Sequence, residues 1–262
     1  AIRAKKEASI IGCMELLKEK KVEAVFSAGS TGATLISAIT VLGKQKGVIR
    51  PAIASVLPTS DGSVILLDSG ASLDVKPKVL YQFAVMGSKL AEVLLDLDKP
   101  RVGLLNNGEE ESKGRDLEKS AYKLLSSSTL NFIGNVEGRD FASKKVDVFV
   151  TDGFTGNVVL KTLEGTARLQ QKLISDSLKK NLFKPLLPIV KNAFEPVKDK
   201  LNPDKTNASY LLGVDGLVTI GHGSSKQEAI KNGIKYTNNS VQKDFIGKFS
   251  ETLNELWIIF QI

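Results

Sequence analysis

The chain has 262 residues, 42% of them apolar and 25% charged, a mix that excludes a disordered, collagenous or small disulfide-stapled protein. Lys and Arg number 36 against 29 Asp and Glu, and the net charge of +7 is a modest surplus that does not by itself call for nucleic acid. Eleven Phe, four Tyr and one Trp are too few to argue for a base-stacking platform. The single cysteine, Cys13, cannot pair within the chain, and with the single histidine, His222, it cannot build a zinc site. The absence of internal disulfides fits a reducing compartment.

Short apolar runs alternate with helical patterns along the chain. Val22–Ser27 reads as a strand and Thr31–Leu42 as a helix. The uncharged stretch Ala24–Gly43 is 20 residues long, enough for a bilayer, but nine of them are Gly, Ser or Thr, and it is not read as a membrane span. Ala52–Leu57 and Val64–Asp68 read as strands broken by the hairpin-like turn Ser60-Asp61-Gly62. Val79–Leu95 has a helical period. Arg101–Leu105 reads as a strand, Leu117–Leu125 as a helix, and Asn131–Ile133 and Val146–Val150 as strands. Val158–Leu178 is a long helix, Leu217–Ile220 a strand, and helix resumes from Lys226. This alternation predicts an α/β fold with a largely parallel sheet and some antiparallel pairing at the hairpin. Phe132-Ile133-Gly134-Asn135-Val136 echoes in Phe154-Thr155-Gly156-Asn157-Val158, and the echo reads as two loops with one job.

Ligands in open α/β sheets sit beyond the carboxyl ends of strands, so small-residue turns there are the places to look. Gly29, Ser30, Thr31 and Gly32 open a helix, where free N–H groups suit an anion; a plain Ser or Thr N-cap explains them equally. Gly108 and Lys113 flank a run of glutamates, Glu109 to Glu111, which reads as a solvated helix start rather than a metal site, with Lys113 as an anion contact. Asn135 and Arg139 lie in the next turn, where Arg139 grips an anion or pairs with a neighbouring carboxylate. Asp152 ends a strand, Gly156 and Asn157 read as a helix N-cap, and Lys161 follows one turn later. His222 stands between Gly221 and Gly223 after the last strand. Residues 179–205 carry seven lysines and three acids, with apolar residues at spacings of three or four. This basic amphipathic excursion, with Phe183, Leu186, Leu187, Val190, Lys191 and Phe194, suits an anionic membrane surface or an acidic partner; the alternative is a helical hairpin packed on the body or at a dimer interface.

Taken together, these segments resemble the phosphate acyltransferases of bacterial phospholipid synthesis, the PlsX type. The resemblance rests on Ala28 to Ala33, Arg50-Pro51-Ala52, Asp68-Ser69-Gly70-Ala71, Gln82 to Gly87, Val102 to Asn106, Gly108-Glu109-Glu110, Lys113-Gly114, Asn131 to Asp140, Asp152 to Thr162, Leu211 to Val214 and His222 to Ser225, in the family's order. Ser30 and Ser72 stand where the family usually has Asn, and Asn207-Ala208-Ser209 where it has Gly-Gly-Ala. Members begin with a further αβ segment rich in Asp and Gly, so the N-terminal part of the family fold is expected to be missing from this chain.

The resemblance implies a single three-layer α/β/α domain over residues 1–262, like the isocitrate and isopropylmalate dehydrogenases and the phosphotransacetylases, that dimerises. It implies acyl transfer from acyl-[acyl-carrier protein] to inorganic phosphate, with no cofactor, no metal and no nucleic acid. It also implies a cytoplasmic protein associated with the inner face of the membrane, with a glycerol-3-phosphate acyltransferase acting downstream. Phosphate is already anionic, so it needs a cradle rather than a base. Backbone N–H groups at Gly29–Gly32 and Gly156–Asn157 would hold it, Lys161 would add charge, Asn135 or Asn157 would donate to the oxyanion, and His222 would protonate the departing thiolate or position the phosphate. The rival readings are a phosphotransacetylase-like enzyme using acyl-CoA, a dehydrogenase of the same fold, and an inactive membrane-surface scaffold that recruits the next acyltransferase.

Overall fold

A computed structural model describes residues 8–178, 208–223 and 225–251, together with Pro196. The basic excursion, including Phe183, Leu186, Leu187, Val190, Lys191 and Phe194, lies outside the described residues. In chain order the elements are α1 (Ser9–Lys18), β1 (Ala24–Ser27), α2 (Thr31–Val41), β2 (Ala52–Thr59), β3 (Gly62–Leu67), α3 (Pro77–Leu95), β4 (Val102–Leu105), α4 (Asp116–Ser126), β5 (Phe132–Val136), a 3-10 turn (Gly138–Ala142), β6 (Val148–Val150), α5 (Gly153–Leu178), β7 (Ser209–Leu212), β8 (Leu217–Ile220) and α6 (Gln227–Gln242).

The strands form one eight-stranded sheet in the order β1-β8-β7-β2-β3-β6-β4-β5. β3, β6, β4 and β5 are parallel, as are β1 and β8, while β2 and β7 pair antiparallel with both of their neighbours. β1 and β8 run opposite to β3, β6, β4 and β5, but the register brings their carboxyl ends together: Ser27 and Ile220 lie level, through Ser209 and Ser55, with Leu66 of β3 and Phe149 of β6. The α/β expectation therefore holds, with more antiparallel pairing than one hairpin supplies.

Period-two alternation sorts the core into two layers. Ile65 and Leu67 of β3 and Val148 and Val150 of β6 face α3 and α4. Val64 and Leu66 of β3 and Phe149 of β6 face the other way, toward Leu160 of α5. Ile53, Leu211, Val218 and Ile220 complete that second face under Met14 of α1 and Ala38 of α2. The result is three layers, α3, α4 and α6 on one side and α1, α2 and α5 on the other. Ala24–Gly43 is a strand, a turn and a helix, and among the described residues no helix is long and apolar enough to cross a membrane.

The echoed pentapeptide has two unlike fates: Phe132–Val136 is strand β5, whereas Phe154–Val158 lies within α5. Gly134 has φ +99°, at the irregular register between β4 and β5, so its glycine serves a strand distortion rather than a loop.

At the amino ends of β4 and β6, Arg101 grips Asp147 with Nε and Nη2 at 2.8 and 2.9 Å, and its backbone N–H adds a third bond at 2.8 Å. Burial works against the Asp147 carboxylate, but Arg101 wins and holds its pKa below the usual range. A carboxyl with a depressed folded pKa stabilises above its unfolded pKa and loses that contribution as pH falls through the folded value. Asp147→Asn is expected to cost roughly 1–2 kcal/mol at pH 7, with the gap to wild type closing below about pH 4 in urea midpoints.

Candidate active site

The loop after β3 is built around Asp68. Its buried carboxylate accepts N–H groups from Ile53, Gly70, Ala71 and Ser72 at 2.8–3.1 Å, although burial pushes its pKa up against those donors. The first turn of α5 is wedged onto this loop. Gly153 donates its N–H to Ser72 O at 2.7 Å. A Cβ at Gly156 would lie 1.9 Å from Asp68 O, so only glycine lets the helix approach this closely. Asn157 donates Nδ2 to Ser69 O at 3.2 Å.

The sequence places Gly156 and Asn157 ahead of this helix; the structure starts it at Gly153, with Asp152 as the cap. Asp152 accepts from Thr155 N at 2.7 Å and from Thr155 Oγ1 at 3.1 Å. The N–H of Gly156 is spent on Asp152 O at 2.9 Å and is not free for phosphate. Asp152 is also buried beside Arg115, whose Nη2 reaches it at 2.5 Å while pairing with Glu118 at the same distance. These two carboxylates raise the Arg115 pKa, Glu118 the more. Arg115→Met would leave Glu118 and Asp152 facing each other uncompensated. Because the guanidinium side chain is 61% exposed, the expected cost is near the low end, about 2 kcal/mol, read as a lower urea midpoint.

A cleft of about 570 Å³ opens beyond the carboxyl ends of β4 and β6, lined by Asn106, Asn107, Arg115, Glu118, Thr151 and Thr155 among others. On the neighbouring loops the basic side chains face carboxylates. Arg139 pairs with Glu137 and lies 3.8 Å from Glu109, Lys145 reaches Glu109 at 2.9 Å, and Lys113 lies 4.0 Å from Glu110. Gly108 lets the loop fold tightly, since a Cβ there would meet Lys113 Cγ at 2.8 Å. Asn135 is buried; its Nδ2 donates to Glu110 O at 2.8 Å, and its Oδ1 has no partner among the described residues. With Arg115 closed between two carboxylates, the cleft favours a neutral hydrogen-bonding group over a free anion.

The second cluster lies where the carboxyl ends of β1 and β8 meet α5. Ser30 caps α2, accepting from Ala33 N at 3.4 Å, and Gly29, Ser30, Thr31 and Gly32 are exposed, so the helix N-terminus is open. Gly221 donates its N–H to Ser27 O at 2.8 Å, which brings the His222 loop beside the Gly29 loop. Among the described residues, Glu164 of α5 faces Lys161 Nζ at 3.0 Å, His222 Nε2 at 3.5 Å and Arg168 Nη2 at 3.9 Å. Asn157, Lys161, Glu164 and Arg168 recur at helical spacing and share one face of α5. At 1.5 Å per residue, Gly153 to Glu164 spans about 16 Å, so α5 carries this polar face from the loop after β3 to the His222 loop.

The structure thus brings Lys161 and His222 together through Glu164, with Gly29–Gly32 alongside and Asn157 on the same helix face. Gly108, Lys113, Asn135, Arg139 and Asp152 belong to β4, β5 and β6 and the loops that follow them. Sequence reading missed Arg115, Glu118 and Glu164 as site residues. Glu164 stands three residues after Lys161, a helical pairing distance that was there to be read.

The fold is that of the phosphotransacylases and their dehydrogenase relatives. A phosphotransacetylase from Streptococcus pyogenes superposes with a TM-score of 0.59 at 15% identity, covering 88% of this chain and 67% of that one. A 4-hydroxythreonine-4-phosphate dehydrogenase from Klebsiella pneumoniae gives 0.50 at 13% identity, covering 88% and 68%. By sequence, the chain belongs to the fatty acid synthesis protein family, which matches residues 1–248. A phosphate acyltransferase from Elusimicrobium minutum is 43% identical over 261 residues, 99% of this chain and 76% of that relative.

Proposed function

We propose that this chain transfers an acyl group from an acyl thioester to inorganic phosphate, with acyl-[acyl-carrier protein] as donor and an acyl phosphate for phospholipid synthesis as product. In a chain of this family, the observation that carries the reading is the Lys161–Glu164–His222 cluster beside the open N-terminus of α2. The N–H groups of Thr31 and Gly32, without a partner among the described residues, and the helix dipole favour an anion, and Lys161 adds a charge. A phosphate oxygen attacks the thioester carbonyl, forming the C–O bond. The oxyanion accepts from Asn157, whose amide keeps a second N–H beyond the one on Ser69 O. Asn135 is less suited, because its Nδ2 serves Glu110 O. The C–S bond then breaks, and protonated His222 gives its proton to the departing thiolate. The neutral cleft beside Asn106 and Thr155 suits the uncharged part of the donor, and the net charge of +7 favours encounter with an acidic carrier protein.

The same reading includes a homodimer and peripheral contact with an anionic membrane. Val158, Leu169 and Leu173 are each more than half exposed on one side of α5, and Gly165 between them has open space around it. Such a stripe suits a second copy of the helix. Leu169→Lys with Leu173→Lys is expected to halve the mass seen by light scattering; an unchanged mass rules this face out.

The activity is tested by release of carrier-protein thiol from palmitoyl-carrier protein with and without phosphate. Phosphate-dependent release supports the proposal. Turnover only with palmitoyl-CoA indicates the phosphotransacetylase-like reading, and liposome binding without turnover indicates a scaffold.

A further inference from the structure

We propose that Glu164 is a positioning residue that pre-arranges Lys161 and His222 for the acceptor and competes with it for the Lys161 ammonium. The inference rests on inorganic phosphate being the acceptor, as proposed above. The Glu164 side chain is only 10% exposed, whereas those of Lys161, Arg168 and His222 are 52%, 66% and 32% exposed. The one covered group in the cluster is therefore the anion, and its partners reach in from solvent. A carboxylate so placed is costly unless paired, and here its pairing comes from a residue one turn before, one turn after, and a loop from the far strand β8.

Lys161 alone would sweep through many rotamers, and His222 sits on a glycine-flanked loop. Glu164 holds the ammonium with both oxygens, at 3.0 and 3.2 Å, and faces His222 Nε2. Both side chains are thus fixed before any substrate arrives, which lowers the reorganisation left for the reaction. The arrangement has a second consequence. Phosphate approaching Lys161 meets a carboxylate already bound there, so like-charge repulsion weakens its binding while the geometry speeds the chemistry.

These two effects make removal of the charge act in opposite senses on binding and turnover. Glu164→Gln keeps the shape and is expected to bind inorganic phosphate several-fold more tightly while kcat falls up to about 100-fold. A merely structural role would lower the melting temperature and degrade both quantities together. The experiment measures calorimetric binding of inorganic phosphate, kcat and KM with palmitoyl-carrier protein, and circular dichroism melts, for the full chain and for Glu164→Gln. Glu164→Asp keeps the charge but withdraws it by one methylene; it is expected to lose kcat with phosphate affinity unchanged, and it replaces Glu164→Gln in the test should that variant not fold. Unchanged kcat in the folded variant, or phosphate binding that weakens in step with kcat, overturns the proposal. If the wild-type chain shows no phosphate-dependent turnover, the functional reading fails, and the binding arm still decides this one: tighter phosphate binding by Glu164→Gln than by wild type upholds Glu164 as the competitor, and equal binding rejects it.

Discussion

Lys161→Ala is expected to lower phosphate-dependent turnover by roughly 10²–10³-fold, the size of a lost preorganised charge contact in a catalytic site. The fold should survive. The Lys161 side chain is 52% exposed, and its described ion-pair partner is Glu164, three residues along the same helix. Glu164 is covered but keeps Arg168 and His222 when Lys161 is removed, so the expected cost is small, about 1 kcal/mol. Lys161→Arg keeps the charge but changes its shape and is expected to recover part of the rate. Steady-state kinetics at varied phosphate, with a thermal melt as control, checks the pair of variants. Full activity in the folded alanine variant would remove Lys161 from the mechanism.

Gly156→Ala is expected to be the most damaging single methyl group in the molecule. The added Cβ would lie 1.9 Å from Asp68 O and 3.1 Å from Thr151 Cγ2, and the first of these is backbone, which cannot rotate away. Relief requires α5 to lift off the loop that also carries the Gly153–Ser72 and Asn157–Ser69 hydrogen bonds. The expected cost is about 3 kcal/mol or more, with the Asn157 side chain displaced and turnover lost with it. Gly12 of α1 provides the contrast, with no atom of the described residues within 4 Å of its Cβ position. There alanine is expected to raise stability by roughly 0.5–1 kcal/mol through helix propensity alone. Urea denaturation of the two variants should move the midpoint in opposite directions.

Much of the fold was legible because local chemistry set it. β8 runs Leu217–Ile220, as its apolar run reads, and α3 begins at Pro77, just before the periodic residues, where proline is pre-organised for a first turn. α5 was read five residues short. Gly153 and Gly156 look like loop residues, and their real roles, packing against Asp68 and Ser72, depend on a strand some 85 residues earlier in the chain. β7, four residues long, gave no periodic signal and is defined by its antiparallel partners β2 and β8. Short strands of that kind are fixed by tertiary pairing rather than propensity.

The site divides in the same way. Lys161, His222 and the Gly29–Gly32 turn stood out by residue type and position. The carboxylates that organise them did not, because Glu164 near His222 and Asp152 near Arg115 are pairings between distant segments. The sequence also suggested that Gly29–Gly32 and Gly156–Asn157 share one phosphate through their backbones. β1 and β6 end level in the sheet but run in opposite directions, so those loops leave it on opposite headings, and the long helix α5, through Lys161 and Glu164, is what joins them.

The central claim is that phosphate, not water, takes the acyl group. The most direct measurement follows the full chain with palmitoyl-carrier protein and inorganic phosphate, counting released thiol and trapping acyl phosphate with hydroxylamine as the hydroxamate in the same samples. The account predicts one equivalent of trapped acyl phosphate per thiol, with neither formed when phosphate is omitted. Thiol release that continues at the same rate without phosphate, or that yields free fatty acid in place of the trapped product, would contradict it.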